Sequence, residues 1–469
     1  MQHLKRTLHT GGQKIPWSAL AILLILSAAA CGAPASPTAP AAETAIPTVE
    51  ITATLPPTAR PTITPTATPD IPAGPFTWQG ETRPLLMAHY MPWYETPFVE
   101  GGDWGWHWTM NHFAPQKNDA GSWENFASHY TPLTGLYDSS DEQVLEYQVQ
   151  LMKLSGIDGV IVDWYGMEEF WDYGQLNRAT GKLFEATKKA GLKFVICYED
   201  ATIKNMVENK HFTAEEALPH GQKVMQYMQD TWFKDEAYLK VNDRPVLFTF
   251  GPQYFKDPGQ WNTLFEKLDP QPVFLTLDNP VSPAAGALKA NAGAYPWPPM
   301  WGSVGGVLRF DTLKEYLASF ASKSERWEYR VGGAFPGFYD IYKEAGVGSG
   351  YGFLDAQDGK IFRYTMQEAF NQKVDMVQLI TWNDYGEGTI IEPTVEFEYR
   401  YLEMVQEARQ VTDASFAYTA DDLRLPFQLY QLRVKYAQDA ALTEKLDQAS
   451  AALSVGDVSA AAEIIKNTP

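Results

Sequence analysis

The chain has 469 residues, and its 57 acidic and 37 basic side chains give a formal net charge of −20. This negative charge argues against nucleic acid or an anionic surface as a partner, and it suits the solubility of an exported protein. Cys31 and Cys197 are the only cysteines, which excludes a disulfide-rich scaffold, so the folded part must rely on a hydrophobic core.

The N-terminal segment has the layout of an export signal. Lys5 and Arg6 form an early positive region, residues 20–26 are an apolar run too short to span a bilayer, and small residues precede Cys31 in "SAAACG". The pattern predicts a bacterial lipoprotein signal peptide in residues 1–31, with Cys31 lipidated on the outer side of the cell membrane. A plain secretory cleavage, with Cys31 incidental, is the alternative.

Residues 32–75 are rich in proline, threonine and alanine. Proline restricts φ and removes a hydrogen-bond donor, and the residues between the prolines can bury almost no apolar surface. The composition therefore predicts a disordered tether that holds a folded domain away from the membrane. Contact with the membrane is expected only through the lipid anchor.

From residue 76 onward, apolar runs alternate with amphipathic segments. The predicted strands are 85–94, 159–166, 192–200, 245–251, 272–278, 293–298, 331–340 and 376–384. The predicted helices are 141–156, 177–191, 214–233, 258–268, 311–326, 362–375 and 395–410. Near-continuous apolar strands separated by helices indicate a parallel sheet, and eight such units predict an α/β fold of the (β/α)8 TIM-barrel type in residues 76–425.

A doubly wound open sheet is the alternative fold. It is less favoured because "MPWYETPFVEGGDW", which follows the first strand, has no glycine-rich nucleotide-binding spacing. After the barrel, residues 426–469 contain two short helices around "SVGD" and predict a C-terminal helical hairpin, a short appendage without evident chemistry.

Carboxylates and aromatic residues recur where the predicted strands end, which is the end of a barrel that carries active sites. Sugar rings stack their C–H faces on aromatic rings, and their hydroxyls bind carboxylates and amides. The insertion "GGDWGWHWTMNHF" (101–113) adds three tryptophans at alternate positions beside a histidine. The predicted substrate-binding residues are His89, Tyr90, Trp93, Tyr94, His107, Trp108, Asp163, Trp164, Glu199, Tyr254, Trp297, Tyr339, Asn383 and Tyr385.

Asp384 and Glu387 are the best candidates for a catalytic pair. Glycoside cleavage needs a general acid and a second carboxylate, and both residues leave the last strand in one short loop. Glu199 and Asp163 are competing candidates, and a helix-capping role for the pair is the structural alternative. No cofactor or metal is predicted, because His89 and His107 lack the spacing of metal ligands and are better interpreted as hydrogen-bonding residues.

Three stretches carry a resemblance to a known family: "HYMPWY" (89–94), the segment that ends in "GVIVDWYG" (159–166), and "TWNDYGEGTIIEP" (381–393). They resemble glycoside hydrolase family 99, a (β/α)8 group of endo-α-mannosidases and endo-α-mannanases. The resemblance covers most of residues 85–398. It implies that Asp384 deprotonates the substrate 2-hydroxyl to form a 1,2-anhydro sugar, while Glu387 acts as general acid and then base.

The sequence departs from the family motif at two positions. Asp384 stands where the family has glutamate, one methylene longer, and Tyr385 stands where tryptophan is usual. "WNDYGE" and "RPVLFTF" (244–250) are also similar to glycoside hydrolase family 71, the α-1,3-glucanases. The hypothesis is therefore an exported hydrolase that is endo-acting on α-mannan or a similar α-linked polysaccharide. The alternatives are an inverting α-1,3-glucanase-like enzyme and a non-catalytic glycan-binding lipoprotein.

Overall fold

The computed structural model describes residues 71–99, 102–278 and 291–469. Eight parallel strands form one sheet in the order β7-β8-β1-β2-β3-β4-β5-β6. Their bounds are β1 Leu85–Tyr90, β2 Gly159–Trp164, β3 Lys193–Tyr198, β4 Arg244–Thr249, β5 Val273–Leu277, β6 Asn291–Tyr295, β7 Val331–Ala334 and β8 Met376–Leu379. The two end strands of this order are β6 and β7. At the gap between them, the N–H groups of Glu328 and Tyr329 donate to the Ala292 carbonyl. The barrel is thus nearly closed, and the predicted (β/α)8 fold is confirmed.

The strands are buried on both faces. Side chains along each strand point alternately into the barrel and toward the surrounding helices, and both environments are apolar. Met87, Ile161 and Val195 point into the barrel and pack together there. Leu86 and Val160, one residue along their strands, belong to the cluster between the strands and the helices. This period of two, in parallel strands covered on both faces, decides which side chains can reach the interior.

Helices cover the outside of the barrel. Their bounds are α1 Glu142–Ser155, α2 Tyr173–Lys189, α3 Ala201–Glu208, α4 Ala214–Met228, α5 Pro258–Phe265, α6 Phe310–Ser324, α7 Lys360–Asn371, α8 Arg400–Thr412, α9 Leu425–Lys435, α10 Ala440–Val455 and α11 Val458–Lys466. The first of them begins where the Asp141 side chain accepts the N–H of Gln143 over 2.8 Å and ends at Gly156, whose φ is 85°. Among the described residues, no helix has the length and hydropathy needed to cross a bilayer.

All eight predicted strands are shorter in the structure, and two of them end five or six residues early. The strand predicted at 331–340 stops at Ala334, because Pro336 has no N–H to continue the ladder. The strand predicted at 376–384 stops at Leu379, because Thr381 turns back and exchanges backbone hydrogen bonds with Thr389 and Ile391. The following residues therefore form a compact loop above the barrel, and this loop carries the predicted catalytic pair.

The C-terminal helices pack against α1. The Arg433 guanidinium pairs with the Glu146 carboxylate, 2.7 Å between Nε and Oε1, and the Ser450 hydroxyl donates to the same carboxylate over 2.6 Å. The two helices predicted around "SVGD" correspond to α10 and α11, and α9 is an additional helix that precedes them. Cys31 and the predicted signal lie outside the described residues, and of the predicted tether only residues 71–75 are described.

Candidate active site

Four carboxyl groups meet at the carboxyl ends of the strands, and we call Asp163, Glu199, Asp384 and Glu387 the carboxylate cluster. Asp163 is on β2, Glu199 follows β3 directly, and the other two lie in the loop after β8. They are within electrostatic reach of one another, because the charges of the other three all raise the pKa of Asp163. Both members of the predicted catalytic pair thus lie beside the two competing candidates.

Burial dominates the electrostatics of the cluster. It raises the pKa of Asp384 to about 7, and together with the Asp384 charge it holds the pKa of Glu387 well above its ordinary value. Burial and the neighbouring Asp200 raise the pKa of Glu199 to about 8. No ion pair within the described residues joins a lysine or arginine to any member of the cluster. The cluster therefore retains protons near neutral pH, as a general acid requires.

The loop after β8 is held by its own hydrogen bonds. The Asp384 N–H donates to the Thr381 hydroxyl over 2.7 Å, and the Glu387 N–H donates to Oδ1 of Asp384 over 3.0 Å. Gly388 has a φ of +66°, and a Cβ there would lie 2.6 Å from the carbonyl oxygen of Tyr339. Glycine is therefore the residue that suits this position. It allows the loop that carries Glu387 to pack closely against the segment after β7.

A buried polar network centred on Glu392 holds Tyr385, the residue that follows Asp384. Glu392 accepts hydrogen bonds from Tyr137 at 2.9 Å, from Tyr385 at 2.8 Å and from the Gln148 amide at 2.6 Å. Burial raises the pKa of Glu392 to about 7. Glu392 was not predicted from the sequence, although an acid inside the apolar run "TIIEP" is a signal that could have identified it.

Asn383 ties the same loop to the first strand. Its side-chain oxygen accepts the Met91 N–H at 2.8 Å, and its amide nitrogen donates to the Met91 carbonyl at 3.0 Å and to the Tyr137 hydroxyl at 2.9 Å. Both N–H groups and the oxygen of this amide are thereby bonded to the protein. Asn383 therefore orients the loop.

Aromatic rings flank the cluster on two sides. Trp93 and His107 stack with 4.2 Å between ring centroids and 7° between ring planes, and Nε2 of His107 lies 3.5 Å from Asp172. The His89 ring meets the Trp297 ring edge-on at 5.0 Å. Burial lowers the pKa of His89 to about 3, so this imidazole is neutral at pH 7.

The structure separates the predicted substrate-binding residues into two groups. Those near the cluster or at its rim are His89, Trp93, His107, Asp163, Glu199, Tyr254, Trp297 and Tyr339. Those buried in the surrounding core are Tyr90, Tyr94, Trp108, Trp164, Asn383 and Tyr385.

Two members of the second group are directed away from the barrel interior for a geometric reason. Tyr90 follows His89, and Trp164 follows Asp163, so both point outward to the helices. The Tyr90 hydroxyl donates to Gln148 at 2.6 Å, and the Trp164 indole N–H donates to Asn177 at 3.0 Å.

Two tyrosines near the cluster were not predicted. The charges of Asp384 and Glu387 contribute to raising the pKa of Tyr342, after burial, and they act on Tyr351 in the same way. Tyr351 is 53% exposed, so it lies at the surface above the acids. Both belong to the long segment after β7, where no periodic pattern marked them.

A protein-family model described as glycosyltransferase WbsX matches residues 86–278, a range that contains Asp163 and Glu199 but ends before Asp384. None of the curated proteins matches the chain. The GH99 endo-alpha-mannosidase from Bacteroides thetaiotaomicron, in complex with bis-tris-propane, is 18% identical, with a TM-score of 0.52 over 70% of this chain and 98% of that chain. A second structure of that enzyme is 18% identical, with a TM-score of 0.51 over 73% of this chain and 98% of that one. The predicted resemblance is confirmed in the architecture: this chain has the (β/α)8 fold of the GH99 endo-alpha-mannosidases.

Proposed function

We propose that this protein is a glycoside hydrolase that cleaves internal bonds of an α-linked polysaccharide, α-mannan or similar. The observation that carries the proposal is the placement of Asp384 and Glu387 in one buried loop at the end of β8, beside two further carboxyl groups and aromatic rings. The fold shared with the GH99 endo-alpha-mannosidases supports the choice of substrate class.

Glu387 is suited to be the general acid. Its raised pKa keeps it protonated at neutral pH, so it can donate a proton to the glycosidic oxygen as the bond to the anomeric carbon breaks. The leaving sugar departs with a free hydroxyl. The ionised Glu387 then accepts a proton from the water that completes hydrolysis, if the reaction retains anomeric configuration.

Asp384 is suited to be the base, because a pKa of about 7 leaves it partly ionised at neutral pH. In the retaining course it takes the proton of the substrate 2-hydroxyl, whose oxygen attacks the anomeric carbon. In the inverting course it takes a proton from water, which attacks the anomeric carbon directly. The anomer released first, followed by NMR, distinguishes the two courses.

The deciding experiment incubates the purified protein with α-mannan and with α-1,3-glucan and measures new reducing ends. Glu387→Gln removes the proposed acid, and Glu398→Gln, an exposed residue beyond the loop, is the matched control. Hydrolysis by the wild type and the control, with loss in Glu387→Gln, supports the proposal. Undiminished hydrolysis in Glu387→Gln contradicts the assignment of that residue.

Two other outcomes would favour other functions. Tight oligosaccharide binding without new reducing ends would indicate a glycan-binding lipoprotein, which the shorter Asp384 motivates. Longer oligosaccharides without net hydrolysis would indicate glycosyl transfer, the activity named in the description of the matching family model.

The proposal includes export and anchoring through Cys31, which rests on the N-terminal sequence. Metabolic labelling with a radioactive fatty acid in a bacterial host tests it. Label in the wild type and its loss in Cys31→Ala are expected, and equal labelling of both chains contradicts lipidation at this residue.

A further inference from the structure

Three side chains of metal-binding type lie together on the inner face of the barrel. They are His89 on β1, Asp163 on β2 and Cys197 on β3, and all three are buried. One potential ligand atom from each lies within 4.8 Å of the other two. The three residue types are an imidazole, a carboxylate and a thiol, which is a donor set that zinc accepts.

The strand register creates this group. Asp163 and Cys197 are direct partners in the β2–β3 ladder, and His89 pairs with Ile161, which precedes Asp163 by two residues. Residues two apart on a strand share a face, so the three side chains converge from adjacent strands. They belong to rigid elements of the fold, as a precise metal site requires.

Two of the three side chains have unsatisfied polar atoms. Nε2 of His89 and Oδ1 of Asp163 are buried and have no hydrogen-bond partner. Leaving a buried polar atom without a partner is unfavourable. A metal ion between these atoms would satisfy both at once.

Gln378 offers the support that a metal-bound histidine needs. The amide nitrogen of its side chain lies 3.1 Å from Nδ1 of His89, and its amide oxygen is buried without a partner, so a flip of the amide group would bring that oxygen to Nδ1. With the amide oxygen turned toward it, Nδ1 carries the proton and donates it, which leaves the lone pair of Nε2 free for a metal.

The charge around the three residues is also suitable. The charges of Glu199, Asp384 and Glu387 all reach Asp163. No lysine or arginine forms an ion pair with any of these four acids in the part of the chain that the structure describes. A divalent cation would favour the ionised forms of these buried acids and offset the charge that they then carry.

The geometry points to a zinc site formed by Nε2 of His89, a carboxylate oxygen of Asp163 and Sγ of Cys197. In a tetrahedral zinc site the ligand atoms are roughly 3.5 Å apart, so closing the observed spacing takes movements of about 1 Å at most. Three protein ligands leave the fourth position open to water or to a substrate oxygen. This site is additional to the catalytic pair that we propose.

Metal titration tests the inference directly. The full chain carrying Cys31→Ser, so that Cys197 is the sole thiol, is stripped with a chelator and titrated with Zn²⁺ by calorimetry. One zinc ion per chain is expected. Co²⁺ in its place should give the near-ultraviolet thiolate-to-cobalt charge-transfer absorption, and Cys197→Ser should abolish that absorption.

Further variants separate ligands from their surroundings. His89→Gln and Asp163→Asn should weaken zinc affinity by at least about 100-fold, Gln378→Leu by about 10–100-fold, and the control His112→Gln not at all. Circular dichroism confirms that each variant is folded. The inference is overturned if the folded wild type binds no stoichiometric zinc, or if Cys197→Ser binds it unchanged. Neither result depends on hydrolysis, so this test and that of the proposed function fail separately.

Discussion

The backbone N–H of Glu387 donates to Oδ1 of Asp384 over 3.0 Å, so the proposed acid is positioned by the proposed base. This bond uses only the backbone of Glu387. Its carboxyl group lies against Trp297, and Oε2 is buried without a hydrogen-bond partner. One short loop thus fixes the backbone of Asp384 and Glu387, while Oε2 of Glu387 has no hydrogen-bond partner. Substitutions in this loop should therefore separate effects on protonation from effects on geometry.

Glu387→Gln should lower kcat/KM for oligosaccharides by about 10²–10⁴-fold, because the leaving oxygen no longer receives a proton. A glycosyl fluoride needs no such proton, so the same variant should lose much less activity on this substrate. Initial rates on the two substrates provide the measurement. Equal losses on both would show that Glu387 has another role.

The pH dependence should be bell-shaped. Activity should rise as Asp384 ionises around pH 7, and it should fall at higher pH, where Glu387 loses its proton. Since the two groups interact, the apparent pKa values belong to the pair. The profile of kcat/KM checks this expectation, and a rate that stays level through neutral pH would contradict it.

Glu392 should make stability depend on pH. Its pKa is raised from 4.5 to about 7 in the folded protein, so between these values the folded state holds a proton that the unfolded state has released. Stability should therefore fall as pH rises through this window, and the contribution of Glu392 is complete only below about pH 4.5. Thermal unfolding across the window gives the measurement.

Glu392→Gln should remove this part of the pH dependence. It should also destabilise the protein by about 1–3 kcal/mol, because an amide nitrogen would face groups that donate hydrogen bonds to the carboxylate. Urea unfolding of both chains at one pH provides the comparison. An unchanged pH dependence in the variant would assign the effect to other carboxyl groups.

Gly388→Ala should destabilise the loop after β8 and reduce activity. The new Cβ would lie 2.6 Å from the Tyr339 carbonyl oxygen, and alanine disfavours a φ of +66°. We expect a loss of about 1–3 kcal/mol in unfolding free energy. Gly348→Ala is the matched control, because no atom lies within 4 Å of its Cβ position. Similar losses in both variants would mean that the close approach to Tyr339 is unimportant.

The sequence was sufficient for the barrel because most of its strands are apolar runs next to amphipathic helices. It also located Asp384 and Glu387, since both follow the last of these runs. Strand alternation, applied more strictly, would have assigned Tyr90 and Trp164 to the core, because each follows an inward-facing neighbour.

Other features of the site depend on contacts between distant segments. Tyr137, Gln148 and Glu392 meet only after α1 packs against the barrel, and no local pattern links them. Likewise, the convergence of His89 with Cys197 follows from strand register, whereas spacing along the chain gives no indication of it.

The hydrogen bonds between Asn383 and Met91 span 292 positions of sequence. During synthesis, the loop that carries Asp384 emerges long after the first strand to which it is tied. A growing chain that lacks this last strand cannot assemble the proposed site, however much of the barrel has already formed. Hydrolytic competence, if the proposal holds, would therefore begin only when the ring of strands is completed.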